Sequence, residues 1–133
     1  MLHMNDADNM FIAEDVAGFA KRLTDDGIFV RQLDLLLLGF GYAVQNQIPP
    51  VDKVKRHDLT EAAAVTNDIR LAVEAVAPWY ACQLGIDPPG DERSLLDFVC
   101  RVGSAGMKAL QTEWKDRSKS QVQSWILKHV RGG

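Results

Sequence analysis

The segment Gln32–Pro50 constrains the fold of this chain more than any other part of the sequence. It reads QLDLLLLGFGYAVQNQIPP. A helix through it is apolar around most of its circumference, which is typical of a central helix that other helices surround. Pro49 and Pro50 end this helix, because proline lacks a backbone donor and disfavours helical geometry in the residue before it. We therefore expect a central helix at about 32–47, with the rest of the protein packed around it.

Glycines inside this helix predict where a second helix crosses it. Gly39 and Gly41 each weaken a helix by about 1 kcal/mol relative to alanine. That cost is usually offset where two backbones approach closely. A later helix carries the small residues Gly103-Ser104-Ala105-Gly106, which suit such an approach. The sequence therefore predicts a close helix crossing near Gly39.

Helical patterns occupy most of the remaining chain. They cover Ala13–Leu23 and Thr60–Leu84, the second with alternative starts at Thr66 or Asn67 and an expected kink or break at Pro78. Helical patterns begin again at Asp91 or Ser94, and once more at Ser118, where Gln121 completes a capping box. The short apolar link at residues 28–30 has no convincing partner strand. The prediction is an all-α, single-domain bundle of five or six helices spanning residues 1–133, with residues 1–10 as a flexible N-terminal arm.

Composition argues against several classes of protein. The apolar run of the central helix is shorter than the roughly 18 residues of a membrane span, and residues 1–10 do not resemble a signal peptide. A cytoplasmic location is the default expectation. Cys82 and Cys100 are isolated in the sequence, and the histidines show no metal-ligand spacing with them. We expect two small hydrophobic thiols, no metal and no cofactor.

Catalytic motifs do not stand out in the sequence. His57 beside Asp58 is the one pair that suggests acid–base chemistry. Adjacent loop residues rarely address the same substrate atom, and no nucleophile motif accompanies the pair. The sequence therefore predicts a non-catalytic protein.

The basic end of the chain is the leading candidate for a binding surface. Residues 108–133 carry six basic and two acidic side chains on a chain of net charge -3. Of the large aromatics expected to lie partly exposed, two fall in this region. The predicted partner-binding set is Trp114, Lys115, Arg117, Lys119 and Trp125. Tryptophan and arginine are enriched in binding hot spots, so we expect a protein partner in a larger complex.

A nucleic-acid-binding module is the alternative. Its phosphate contacts would come from Lys53, Lys55, Arg56, His57, Lys128 and Arg131. The sequence does not say whether the fold brings these two segments together, and a pI of about 5.5 is unusual for a general nucleic-acid binder. A surplus apolar helix face would also allow a homo-oligomer, and periodicity alone cannot separate that outcome from burial within one chain.

Two blocks of the sequence carry a family resemblance. GIFVRQLDLLLLGFGYAVQNQIPP and LLDFVCRVGSAGMKAL resemble the pattern of small helical proteins encoded beside bacterial DNA-phosphorothioation (Dnd) and related phage-defence systems. The matching positions are Ile28, Phe29, Gly41, Tyr42, Gly103, Ala105, Gly106 and Leu110. The resemblance supplies no catalytic residues. It implies an accessory or complex-forming role in defence against foreign DNA.

Overall fold

The computed structural model describes residues 1–53 and 55–130. In this part of the chain, five α-helices and two β-strands follow one another. They are β1 (Asn9–Ala13), α1 (Ala17–Asp25), α2 (Gln32–Gln45), β2 (Arg56–Glu61), α3 (Asn67–Gln83), α4 (Glu92–Glu113) and α5 (Lys119–Val130). A single turn of 3-10 helix follows each strand, at Glu14–Val16 and Ala62–Ala64. Of the predicted all-α bundle, the mainly helical character is confirmed.

The small antiparallel sheet corrects the all-α prediction. β1 pairs with β2, with Phe11 opposite Asp58 and Ala13 opposite Arg56. β2 reads RHDLTE and is largely exposed, so it lacks the alternation of apolar and polar residues that identifies a strand from sequence. Its pairing depends on β1, which lies more than forty residues earlier in the chain. A local pattern could not reveal that partner.

The N-terminal residues lie against the domain rather than extending from it as a flexible arm. Met4 is buried, and its backbone N–H donates to Glu74 Oε2 at 2.6 Å. His3 Nδ1 lies 2.9 Å from Glu74 Oε1, and the Arg70 guanidinium binds the Met4 carbonyl and the Asp6 carboxylate. Glu74 is itself buried on α3. These polar contacts hold the start of the chain on α3.

The predicted helix crossing is present and joins α2 to α4. Gly39 meets Gly103 and Gly106 so closely that a Cβ on Gly39 would lie 2.5 Å from the Gly103 carbonyl oxygen. A Cβ on Gly106 would overlap the Gly39 carbonyl group. Leu36 of α2 lies against Gly103 at this contact, and Leu33 and Leu35 of the same helix are also buried. Among the described helices, none has both the length and the apolar character that crossing a bilayer requires.

Replacing Gly106 with alanine tests this crossing. We expect G106A to lower the free energy of unfolding by about 3 kcal/mol, because the new methyl group forces the two backbones apart. The matched control is G41A on α2, where an added Cβ meets nothing within 4 Å. It should be neutral or should stabilise the helix by up to about 1 kcal/mol. Urea unfolding measures both, and equal effects of the two substitutions would contradict the crossing.

Two side chains of α4 accept hydrogen bonds from the backbone of β1. The Phe11 N–H donates to Cys100 Sγ at 3.4 Å, and the Ala13 N–H donates to Ser104 Oγ at 3.0 Å. Both cysteine and serine are fully buried. Because a buried N–H without an acceptor is costly, these two side chains let a two-stranded sheet lie directly on a helix.

The serine substitution S104A tests that arrangement. It leaves the buried Ala13 N–H without an acceptor, so the free energy of unfolding should fall by about 1–3 kcal/mol. S124A on the exposed side of α5 is the control and should change stability by only a few tenths of a kcal/mol. Thermal or urea unfolding provides the measurement. A neutral S104A would show that this hydrogen bond does not hold β1 in place.

Helix α3 begins at one of its alternative predicted starts, and it continues through Pro78 rather than being split there. It starts at Asn67, after Thr66, rather than at Thr60. Its inner side is held by Tyr80, whose single O–H is shared between the Ile48 carbonyl oxygen at 2.5 Å and the Ala43 carbonyl oxygen at 3.1 Å. Burial raises the pKa of this tyrosine. The hydrogen bonds fasten α3 to the end of α2.

The predicted caps of α4 and α5 are confirmed. The Asp91 carboxylate accepts from the Ser94 backbone N–H at 2.8 Å, and this bond lowers the pKa of Asp91. At α5 the Ser118 N–H donates to Gln121 Oε1 at 2.8 Å, and the Gln121 N–H donates to Ser118 Oγ at 3.2 Å. These bonds fix where the last two helices start.

Candidate partner-binding cleft

The two tryptophans predicted as exposed anchors belong to the core. Trp114 and Trp125 are only 4% and 8% exposed. Their rings meet edge to face with centroids 5.3 Å apart, and Trp114 also contacts Phe19 and Phe29 at 6.1 and 6.4 Å. Trp125 contacts Tyr42 at 5.7 Å. The expectation of exposed indoles is wrong here, because aromatic residues from α1 and α2 cover them.

The three basic residues of the predicted set nevertheless lie together. Lys115, Arg117 and Lys119 line one cleft with Arg22 of α1, and the cleft has a volume of about 590 Å³. One wall of the cleft is the C-terminal half of α1 and the loop that follows it. The other wall is the turn between α4 and α5, with Trp114 beneath it. The structure therefore brings four of the five predicted residues to one place.

A constrained turn holds the basic side chains in position. α4 ends at Glu113, and the Arg117 N–H donates to the Trp114 carbonyl at 3.1 Å. Asp116 adopts a left-handed conformation with φ of 62°, which aspartate tolerates better than most residues. The capping box at Ser118 then starts α5 at once. With so short a connection, the backbone carrying the basic side chains has little freedom to move.

The cleft carries an excess of positive charge over a partly apolar floor. Asp26 and Asp116 are its acidic residues, against four basic ones. Arg117 also pairs with Glu113 at 3.1 Å, and the same carboxylate oxygen accepts from Trp125 Nε1 at 3.3 Å. The floor is formed by the apolar side chains of Phe19, Leu23, Ile28 and Val122. Such a surface suits a ligand that combines carboxylates with apolar groups.

Trp114 adds an unusual polar feature beneath this cleft. Within the part of the chain that the structure describes, its indole Nε1 is buried and has no hydrogen-bond acceptor. An unpaired buried donor costs about 1–3 kcal/mol.

The residues of the nucleic-acid alternative are distributed over several surfaces. Lys55 pairs with Glu14 at 3.3 Å. His57 lines a groove beside the start of α2, and Lys128 lines a depression on α5. Arg131 lies outside the described residues. Among the residues that the structure describes, the basic loop and the C-terminal helix thus line different clefts.

Lys53 and Arg56 do meet other basic residues. They line a second cleft of about 500 Å³ with Arg93 and Arg101 of α4. Arg56 is held by Asp97 at 2.5 Å and stacks over the Phe11 ring at 4.1 Å. The Arg101 Nε donates to the Val51 carbonyl at 2.7 Å. Two of these guanidinium groups are therefore fixed in place by the fold.

Sequence reasoning missed three of the basic residues that line these clefts. Arg93 and Arg101 share one side of α4 with Asp97, at spacings of four residues, so a helical-wheel argument could have grouped them. Arg22 gave no such signal. It reaches the first cleft only because α1 packs beside the end of α4.

Comparisons with models of protein families, with curated proteins and with solved structures find no match to this chain.

Proposed function

We propose that this protein is a small non-catalytic interaction subunit that binds an acidic, partly apolar segment of a protein partner in the cleft between α1 and the α4–α5 turn. The convergence of Arg22, Lys115, Arg117 and Lys119 on a partly apolar floor carries this proposal. In keeping with the Dnd resemblance, we place the protein in the cytoplasm, as an accessory factor of a bacterial assembly for phage defence or DNA restriction.

In this proposal the basic rim and the apolar floor of the cleft have different roles in docking. The basic side chains on its rim attract and orient an acidic segment, which raises the association rate. Ile28, the partly exposed residue of the apolar floor, then adds apolar contact, because burial of apolar surface favours the bound state. Trp114 and Trp125 act from below by keeping the turn and α5 in place, rather than by touching the partner as anchors.

Charge reversal on the cleft tests the proposal. A tagged wild-type protein should retain a protein partner from its native host at low and moderate salt and after nuclease treatment. K115E/K119E should lose at least about tenfold of that partner, because both substitutions place negative charge where the acidic segment docks. Mass spectrometry of the retained proteins provides the measurement.

K21E/K128E is the matched control. It changes the net charge by the same amount on exposed side chains outside the cleft, so it should retain the partner. Circular dichroism should show that both double variants are folded. A partner that binds K115E/K119E as well as it binds wild type would refute the cleft as the docking site.

The second candidate function is binding of a nucleic-acid backbone at the cleft lined by Lys53, Arg56, Arg93 and Arg101. The observation in its favour is that two guanidinium groups there are already fixed, by Asp97 and by the Val51 carbonyl. Such groups can contact phosphates with little further ordering. Asp87 also lines this cleft and weakens its attraction for phosphate.

Salt dependence distinguishes this candidate from protein docking. Three or four phosphate contacts give a slope of about -3 for the logarithm of the affinity against the logarithm of the salt concentration. Fluorescence anisotropy with a labelled DNA duplex measures the slope. K53E/R93E should abolish binding, whereas K21E should leave it unchanged. Absence of measurable binding at low salt would exclude this candidate.

A further inference from the structure

The strand β2 presents a backbone edge that points away from β1. The N–H groups of Phe11 and Ala13 donate to side chains of α4, so they point away from β2. Phe11 lies opposite Asp58, and Ala13 lies opposite Arg56. Opposite residues whose backbone groups point away from each other are the non-hydrogen-bonded pairs of an antiparallel ladder. The N–H and C=O groups of Arg56 and Asp58 therefore point outward, on the far side of β2.

This outward edge is open to a further strand. Arg56, His57 and Asp58 are all exposed, and in the described part of the chain no hydrogen bond joins the outward groups to a third strand or a loop. An unpaired strand edge is a template for another strand. The other edge of the sheet is occupied, since Cys100 and Ser104 accept from β1. Because one edge is free and the other is covered, pairing between two copies ends at a closed dimer.

The charges along this edge make it complementary to itself. When two copies of β2 are laid antiparallel about a two-fold axis at His57, Arg56 of each copy lies opposite Asp58 of the other. Opposite charges that face each other across two strands stabilise a sheet. Asp58 forms no ion pair with the described residues. Arg56 binds Asp97 through Nη2 at 2.5 Å, and a guanidinium group has further donors.

The same two charges select one register of pairing. A shift by two residues in either direction places Arg56 opposite Arg56, or Asp58 opposite Asp58, and like charges destabilise such pairs. A shift by one residue sets outward backbone groups against inward ones, so the hydrogen bonds between the strands are lost. A strand of unrelated sequence lacks this order of charges. The edge therefore favours a second copy of itself.

We propose that two copies of this protein pair through β2, antiparallel, with the two-fold axis at His57. The pairing joins the two-stranded sheets of the copies into one continuous sheet, with β2 beside β2 at its centre. Arg56 of each copy exchanges backbone hydrogen bonds with Asp58 of the other. The two His57 residues form the non-hydrogen-bonded pair on the axis.

This dimer does not depend on the proposed docking cleft. None of the residues of β2 lines the cleft between α1 and the α4–α5 turn. Each copy in the dimer therefore presents its own cleft. Loss of pairing leaves capture of the protein partner measurable, and loss of the partner leaves the mass of the dimer measurable.

Oligomeric mass provides the first test. Sedimentation analysis of wild type from micromolar to millimolar concentration should show a species of twice the 14.8 kDa chain mass. D58R should raise the dimer dissociation constant by at least about tenfold, because it places arginine opposite arginine at both ends of the contact. D68R is the matched control. It makes the same change of charge on an exposed residue of α3, so it should leave the mass unchanged.

A mixture of two variants tests the order of charges. R56D alone should fail to pair, because it places aspartate opposite aspartate. An equimolar mixture of D58R and R56D should form a heterodimer, since the arginines of one variant then lie opposite the aspartates of the other. Circular dichroism should show that both variants are folded. Folded variants that do not pair in the mixture would contradict the proposed register.

Disulfide trapping tests the position of the axis. In a C82S background, H57C should form an intermolecular disulfide on mild oxidation, because the axis brings the two sites within reach. K55C in the same background is the control. Its two sites lie roughly 13 Å apart along the paired strands, at 3.3 Å per residue. Burial raises the pKa of the Cys100 thiol to about 12, so this cysteine does not compete.

Three further outcomes would overturn the proposal. The first is a wild-type protein that remains monomeric over the whole concentration range. The second is a folded D58R that dimerises as strongly as wild type, which would place the contact on another surface. The third is trapping of K55C as efficiently as H57C, which would exclude an axis at His57.

Discussion

The contact between the backbones of α2 and α4 is the constraint on which the other parts of the structure depend. Gly39 on one helix and Gly103 and Gly106 on the other leave no room for a Cβ at the crossing. The two helices therefore approach more closely than helices separated by side chains. Leu36 lies against Gly103 at this contact, and Leu33 and Leu35 of the same helix are also fully buried. The glycines weaken each helix, and the tight packing that they allow at the crossing offsets that cost.

Helix α4 in turn positions two parts of the structure, the β-sheet and the basic turn before α5. Near its middle, Cys100 and Ser104 accept hydrogen bonds from β1 and so position the sheet. At its C-terminal end, Trp114 packs against aromatic rings from α1 and from the loop that follows it. The basic turn after Trp114 is therefore held at a defined distance from α1. The cleft therefore forms because the packing of α4 in the core sets the distance between this turn and α1.

The buried carboxylate of Glu74 has a comparable role for α3. It accepts from the Met4 N–H and lies beside His3 and Arg70, so its charge is hydrogen-bonded and paired. A buried carboxylate without such partners would be strongly destabilising. This network and the Tyr80 hydroxyl hold one side of α3 against the rest of the domain. The opposite side keeps its apolar residues in contact with solvent.

The sequence by itself determined the features that depend on near neighbours along the chain: the apolar central helix, the glycine crossing at Gly39, the capping box at Ser118 and the grouping of Lys115, Arg117 and Lys119. Helical periodicity, backbone freedom and capping are local properties, so they can be read from short segments. Tertiary structure alone decided that β1 pairs with β2, that Trp114 and Trp125 are covered, and that Arg22 joins the cleft. These outcomes depend on contacts between distant segments, and no local pattern records which distant segment will cover a side chain or pair with a strand.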